Sequence, residues 1–376
     1  MLRRRHVVLL AALFALVASI ALGQWFVRPP PQPGLDGPYA FRADADPRLR
    51  VLDTVRVDGA WRLRERWRRS PLEVCADDRR VGEPGTCFAV DVRAASRPPP
   101  SDLPRNPMRL LMLSDIEGQF GRLVALLRAQ GVIDSSLRWS YGRGHLVLAG
   151  DLVDRGEHVL PVLWLVYRLE AEAEQAGGRV HYLLGNHEQM LLRGDMASWP
   201  PRMRATARRA EGGSRALFAR DSVLGQWLRT RPVVVRVGDH LFAHGGVSEA
   251  FLDADLGVDA ANAAARPWLA TRRALAPARV QPVLGRAGLT RYRGLAGAAH
   301  AREPDPVAHL RRVAARYGVR RVAIGHTIAP DIVLEHDGLL LRLDVHHGSQ
   351  VPQAALYEGG MLWRVYADAR APVRLD

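Results

Sequence analysis

Five short segments combine the residue types that bind cations and handle protons. They are Ser114-Asp115-Ile-Glu117-Gly, Gly150-Asp151-Leu-Val-Asp154-Arg155-Gly156, Gly185-Asn186-His187-Glu188, Ala243-His244-Gly-Gly246 and Gly325-His326-Thr327. Each sets Asp, Asn or His beside glycine, and each follows an apolar run. Carboxylate, amide oxygen and imidazole together suit two hard-to-borderline divalent ions. Two ions ~3.5–4 Å apart clamp a phosphoryl group and turn a bridging water into a nucleophile. Alone, any one segment reads as well as a turn, a helix-cap ion pair or a satisfied core histidine. Their occurrence in series is what points to a single site.

Such residues act together only if the chain brings them to one place. From Met108 onwards, apolar strands at 109–114, 145–149 and 180–184 alternate with helices at 120–130 and 157–175. That is a β-α-β-α-β run, so part of the sheet is expected to be parallel. A helical, Arg-rich insertion follows at 194–229, then strands at 233–237 and 240–243 joined at Gly238-Asp239. Residues 262–299 read as irregular loops. A helix at 306–317, a strand at 321–324 and closing strands around Asp337-Gly338 complete the pattern. In parallel α/β sheets ligands bind at the carboxyl ends of strands. The glycines allow sharp turns and leave room for an ion or a phosphate.

Residues 36–96 alternate as short strands and read as a small β-module, with linkers at 24–35 and 97–107 and a main domain at 108–376. Cys75 and Cys87 flank a turn-rich stretch and suit a hairpin disulfide in an oxidising compartment. Arg3, Arg4 and Arg5 precede an uncharged apolar run from Val7 to Gly23, which reads as a signal peptide or an uncleaved membrane anchor over 1–23. The expected location is therefore the periplasm, free or anchored to the inner membrane and facing the periplasm.

With 48% hydrophobic and 24% charged residues over 376 positions, the chain is neither disordered, collagen-like nor wholly transmembrane. The formal charge is +14, yet all 53 basic residues are Arg and there is no Lys. A chain-wide absence of Lys reflects codon bias more than a gathered binding surface. No nucleic-acid module is recognisable, so no nucleic-acid partner is expected.

Taken together, the blocks Gly150-Asp-x-x-Asp-Arg-Gly156, Gly185-Asn-His-Glu188 and His244-Gly-Gly246 resemble the calcineurin-like metallophosphoesterases, and among them the phosphoprotein phosphatases. Met190-Leu-Leu-Arg-Gly-Asp195 and Tyr292-Arg293-Gly294 are similar to the bacterial, Shewanella-like branch. The resemblance covers about Met108 to Trp363 and leaves the N-terminal module outside it. It implies an αββα sandwich and hydrolysis of phosphate monoesters, without a covalent phosphoenzyme, by attack of a metal-bridging hydroxide. Carried over by position, Asp115 binds the first metal, Asp151 bridges both, and Asn186, His244 and His326 bind the second. His187, oriented by Asp154, is the general acid. Arg155 grips the phosphate, with Arg293 as the second phosphate arginine. The implied substrates are phosphorylated proteins on Ser, Thr or Tyr, or small phosphomonoesters.

One departure bears on the metals. The family's first block carries His where this chain has Glu117. The spacing from Asp115 is kept, so Glu117 is expected to replace the imidazole as a ligand of the first metal. That favours Mn or Fe, with Mg or Zn as alternatives. In Asp344-Val-His346-His347-Gly348 the histidines read as surface residues. Two rival functions share this pattern: a dinucleoside polyphosphate hydrolase of the same fold, and a non-catalytic metal-binding or docking protein.

Overall fold

The computed structural model describes residues 36–43, 46–76, 86–271, 277–296 and 303–376. The expected signal segment and first linker lie outside the described residues. Residues Leu35–Asp376 form one compact unit. Among the described residues no helix is long and apolar enough to cross a membrane.

Two six-stranded sheets build the core. The first runs Val373–Arg374, Met361–Tyr366, Gln353–Glu358, Arg109–Leu113, His145–Leu148, Arg179–Tyr182. Its last three strands are parallel, as the β-α-β-α-β pattern requires. The second runs Val333–Glu335, Leu340–Arg342, Arg321–Ile324, His240–Ala243, Val234–Val237, Asp102–Leu103.

Side-chain alternation along each strand explains the layers. Leu110 and Met112 pack in one buried cluster with Val147, Phe242, Ala323 and Leu341, which joins the two sheets face to face. Leu111 and Leu113 point the other way, into the cluster shared with helices Phe120–Ala129 and Val159–Gln175. On the second sheet, Leu241, Val322 and Ile324 share that cluster with Leu310 and Val313 of helix Pro306–Tyr317. Asp305 caps this helix by accepting from Ala308 N at 2.9 Å, and Gly318 ends it in the left-handed conformation. The result is helix, sheet, sheet, helix: the expected αββα sandwich, of mixed α/β class. Helices Pro201–Arg209, Gly213–Leu217 and Val223–Thr230 fill the expected helical insertion.

The N-terminal strands form as expected but do not stand apart. Leu49–Val57 and Ala60–Arg68 make a hairpin around Asp58-Gly59, both with positive φ. Leu72–Ala76 pairs with Thr86–Val90, and Cys75 is disulfide-bonded to Cys87 directly across the strands. The buried faces of these short strands join the main core, where Leu72, Val74, Phe88 and Val90 sit with Trp164 and Tyr167. Arg168 Nη1 donates to Ala89 O at 3.1 Å, and Trp164 Nε1 to Pro38 O at 3.0 Å. A two-stranded ribbon cannot bury its own apolar face, so it docks on the helix. Within the expected second linker, Asp102–Leu103 adds a parallel edge to Val234–Val237. The stretch read as irregular from 262 carries the end of helix Val258–Ala265 and a short helix at Gln281–Leu284.

Candidate active site

The carboxyl ends of the strands converge. Leu113 is followed by Asp115, Leu148 by Asp151, Tyr182 by Asn186, Ala243 by His244, and Ile324 by His326. Backbone bonds lash these ends together: Asp115 N donates to Gly150 O at 3.0 Å and Gly325 N to His244 O at 2.8 Å. Asp115, Glu117, Asp151, Asp154, Arg155 and His326 all have positive φ. Non-glycine residues rarely adopt this conformation, and its clustering at one edge is a mark of a functional site.

Asp151, His244 and His326 bring ligand atoms within 4.8 Å of one another. His244 Nε2 lies 2.9 Å from Asp151 Oδ2. Its Nδ1 is 2.9 Å from Ala149 O, and a carbonyl only accepts, so Nδ1 carries a proton and Nε2 faces the site. Asp115 Oδ2 accepts from His326 N at 3.2 Å. Asn186 is buried, and its Oδ1 has no hydrogen-bond partner among the described residues. An orphaned buried acceptor beside carboxylates and imidazoles fits a cation site.

The electrostatics agree. Burial, together with the charge of Asp151, raises Asp115 to about 6. Burial and then the charge of Asp115 push Asp344 up to about 9. Burial opposes charge on His244, yet Asp151 and Asp115 outweigh it and raise the ring to about 10. Burial also opposes charge on Asp151, but the His244 cation holds it well below the usual carboxylate range. Burial and the charge of His244 lower His326 to about 2. Crowded, desolvated carboxylates beside one imidazolium form a site that divalent cations would neutralise.

His187 Nδ1 is 2.7 Å from Asp154 Oδ2, and its Nε2 is 3.9 Å from Asp151 Oδ2. Burial disfavours its charge, but the hydrogen bond to Asp154 prevails and raises its pKa. Arg293 Nη1 donates to Thr327 Oγ1 at 2.8 Å, and its Nη2 lies 3.5 Å from His326 Nδ1. The structure thus brings together Asp115, Asp151, Asn186, His187, Asp154, His244, His326 and Arg293.

Glu117, expected as a ligand of the first metal, forms an ion pair at the rim. Its Oε1 pairs with Arg155 Nη1 and, like Asp115, it lies outside the Asp151, His244 and His326 group. The pair also engages the expected phosphate arginine. His347 is not a surface residue: it is buried, and Nε2 donates to Ser114 O at 3.1 Å, while His346 is exposed.

Two acidic residues complete the site without having been singled out. Glu188 accepts from Gly185 N at 2.7 Å, Asp151 N at 3.0 Å, Leu152 N at 2.8 Å and Tyr182 Oη at 2.9 Å. It thereby fixes two strand ends at once. Its position three residues into the helix, reaching back to the first backbone donor, is the sequence signal. Asp344 follows strand Leu340–Arg342 as His326 follows Arg321–Ile324, and Ile324 pairs with Arg342, so the two lie at the same level of adjacent strands. Only that register identifies it.

A family model for calcineurin-like phosphoesterases matches residues 108–330. A Shewanella-like protein phosphatase 2 from Arabidopsis thaliana is 28% identical over 205 residues, 43% of this chain and 52% of the relative. A symmetrical bis(5'-nucleosyl)-tetraphosphatase from Neisseria meningitidis is 29% identical over 138 residues, 36% of this chain and 42% of the relative. The chain thus spans about half of these curated relatives or less. The crystal structure of a cold-active protein-tyrosine phosphatase from a psychrophilic Shewanella species aligns with a TM-score of 0.76 and 27% identity, covering 91% of this chain and 99% of that one. Residues 108–376 alone cannot supply that coverage, so the likeness extends into the N-terminal strands, which the sequence resemblance had left outside.

Proposed function

The chain belongs to the calcineurin-like phosphoesterases, a family built on a dinuclear metal centre, and from that premise we propose that it is a metal-dependent phosphomonoesterase acting on phosphorylated protein. The observation that carries this reading is the convergence of Asp115, Asp151, Asn186, His244 and His326 beside the 2.7 Å His187–Asp154 pair. The five would hold two divalent ions. When bound, the ions neutralise phosphoryl charge and activate water. An oxygen- and imidazole-rich set without thiolate supports manganese or iron.

The protein's own groups supply the rest. Asp154 holds Nδ1 of His187, which leaves Nε2 free to deliver a proton to the departing oxygen. Arg293 stands beside His326, where a planar fork can orient phosphate oxygens. Arg155, paired with Glu117, would be the other phosphate arginine. Export is part of the reading and is supported by the Cys75–Cys87 disulfide, which persists in oxidising compartments.

A second reading, dinucleoside polyphosphate hydrolysis, is supported by the relatives named as tetraphosphatases. The near-complete coverage of a protein phosphatase structure favours the first. The deciding experiment measures manganese-dependent phosphate release by the full chain from p-nitrophenyl phosphate and phosphopeptides, beside a dinucleoside tetraphosphate. Turnover of the monoesters that disappears in Asp151→Asn is expected. Turnover of the dinucleotide alone would install the second reading. Metal binding without turnover of any substrate would leave a docking protein.

A further inference from the structure

A second constellation lies apart from the strand ends. Glu249 opens the short helix Glu249–Asp253, His309 sits in helix Pro306–Tyr317, and Glu303 lies in the segment that leads into that helix. One ligand atom from each lies within 4.8 Å of the other two. His309 is buried, with its side chain 1% exposed, and that of Glu303 is 10% exposed. His309 Nε2 is 2.8 Å from Val247 O and donates to it, which orients the ring. Its Nδ1 faces two carboxylates, 3.3 Å from Glu249 Oε1 and 4.0 Å from Glu303 Oε2. One imidazole nitrogen and two carboxylates turned to one point form a donor set that a divalent cation can bind.

We propose that Glu249, Glu303 and His309 form a separate site for a single zinc-class divalent ion. Ligands at ~2.0–2.2 Å in tetrahedral geometry lie about 3.4 Å from one another. The His309–Glu249 spacing already meets this, and Glu303 needs to close by about half an ångström. The outer partners are those that orient metal ligands: a carbonyl on the far nitrogen of His309, and the Tyr292 hydroxyl on Glu303 Oε1. The half-exposed Arg312 pairs with Glu249 at the rim. The fourth position is left for water.

The location gives the ion a purpose. Val247 follows His244-Gly245-Gly246, and Tyr292 precedes Arg293. Glu303 N donates to Gly294 O at 3.5 Å, which closes the base of the loop that Arg293 opens. An ion here ties that base to both helices and positions Arg293 beside His326 without touching substrate.

The test is zinc content after loading and dialysis of the full chain, with far-UV circular dichroism to check folding. About three ions per chain are expected for wild type, and about two for Glu303→Gln, His309→Gln and the milder surface change Glu249→Gln. Asp151→Asn, which disrupts the dinuclear centre, should retain about one ion, and zinc should still raise its Tm. That rise should vanish in Asp151→Asn/Glu303→Gln. Zinc contents indistinguishable between wild type and the three cluster variants overturn the site, whatever Asp151→Asn does. A loss confined to Asp151→Asn overturns it equally and leaves the cluster as an ion pair of His309 with its two glutamates.

Discussion

The carboxylate of Glu117 forms an ion pair with Nη1 of Arg155, joining the first and second strand-end loops. Both residues hold positive φ, 49° and 55°. The guanidinium proposed to grip phosphate is thus engaged by an internal carboxylate before substrate arrives.

Replacing that carboxylate should release the arginine. Exposed ion pairs contribute roughly 0.2–1 kcal/mol, so Glu117→Gln is expected to lower KM for p-nitrophenyl phosphate by about two- to fivefold. Metal content, measured by elemental analysis, should not change. Loss of one ion per chain would instead make Glu117 a metal ligand.

His187 and Asp154 should reveal themselves through the leaving group. General acids contribute ~10²–10⁴-fold, chiefly where the departing oxygen is a poor leaving group. His187→Ala should therefore cost far more on an alkyl or seryl phosphate than on p-nitrophenyl phosphate, with metal content intact. Asp154→Asn should follow in the same direction to a smaller extent. An equal loss on both substrates would assign the pair to metal or phosphate binding.

Gly185 is required for its missing side chain. Its φ of −89° suits any residue, but a Cβ there would sit 2.1 Å from Asp151 Oδ1. Gly185→Ala must displace Asp151, and displacements of ~1 Å in a catalytic group cost on the order of 10²-fold. A matching fall in kcat and in bound metal is expected. Unchanged activity would mean that the loop yields without moving Asp151.

His240 should make the fold acid-sensitive. It is buried between the sheets, stacked on Phe242, and neither ring nitrogen has a hydrogen-bond partner among the described residues. Burial, with nearby Arg321, lowers its pKa from 6.5 to about 3. Between those values the unfolded chain takes up a proton that the folded chain refuses. Stability is therefore full above about pH 6.5 and falls on acidification, by on the order of 1 kcal/mol per pH unit. His240→Leu should narrow the gap in Tm between pH 7.5 and pH 5 by about 2–4 °C. A gap as wide as that of wild type would show that other groups set the acid limit.

The sequence alone determined the strand-end chemistry, because metal-binding loops are local. Gly-Asp-x-x-Asp-Arg-Gly and Gly-Asn-His-Glu each place their ligands within a few residues of a strand that periodicity reveals. The parallel β-α-β-α-β run followed from the same patterning, as did the Asp58-Gly59 and Asp337-Gly338 turns. Tertiary structure decided what depends on neighbours distant in the chain. The pairing of Glu117 with Arg155 joins loops 38 positions apart, which the local sequence around either residue does not show. Asp344 looked like any acidic residue near the end of the chain until the pairing of Ile324 with Arg342 set it level with His326. The N-terminal strands carry no mark of attachment in their own pattern. Their apolar faces find cover on helix Val159–Gln175 and its neighbours, where Phe88 stacks on Phe120 and Tyr39 meets Phe218 edge-on, so a segment that reads as a separate module becomes part of the domain core.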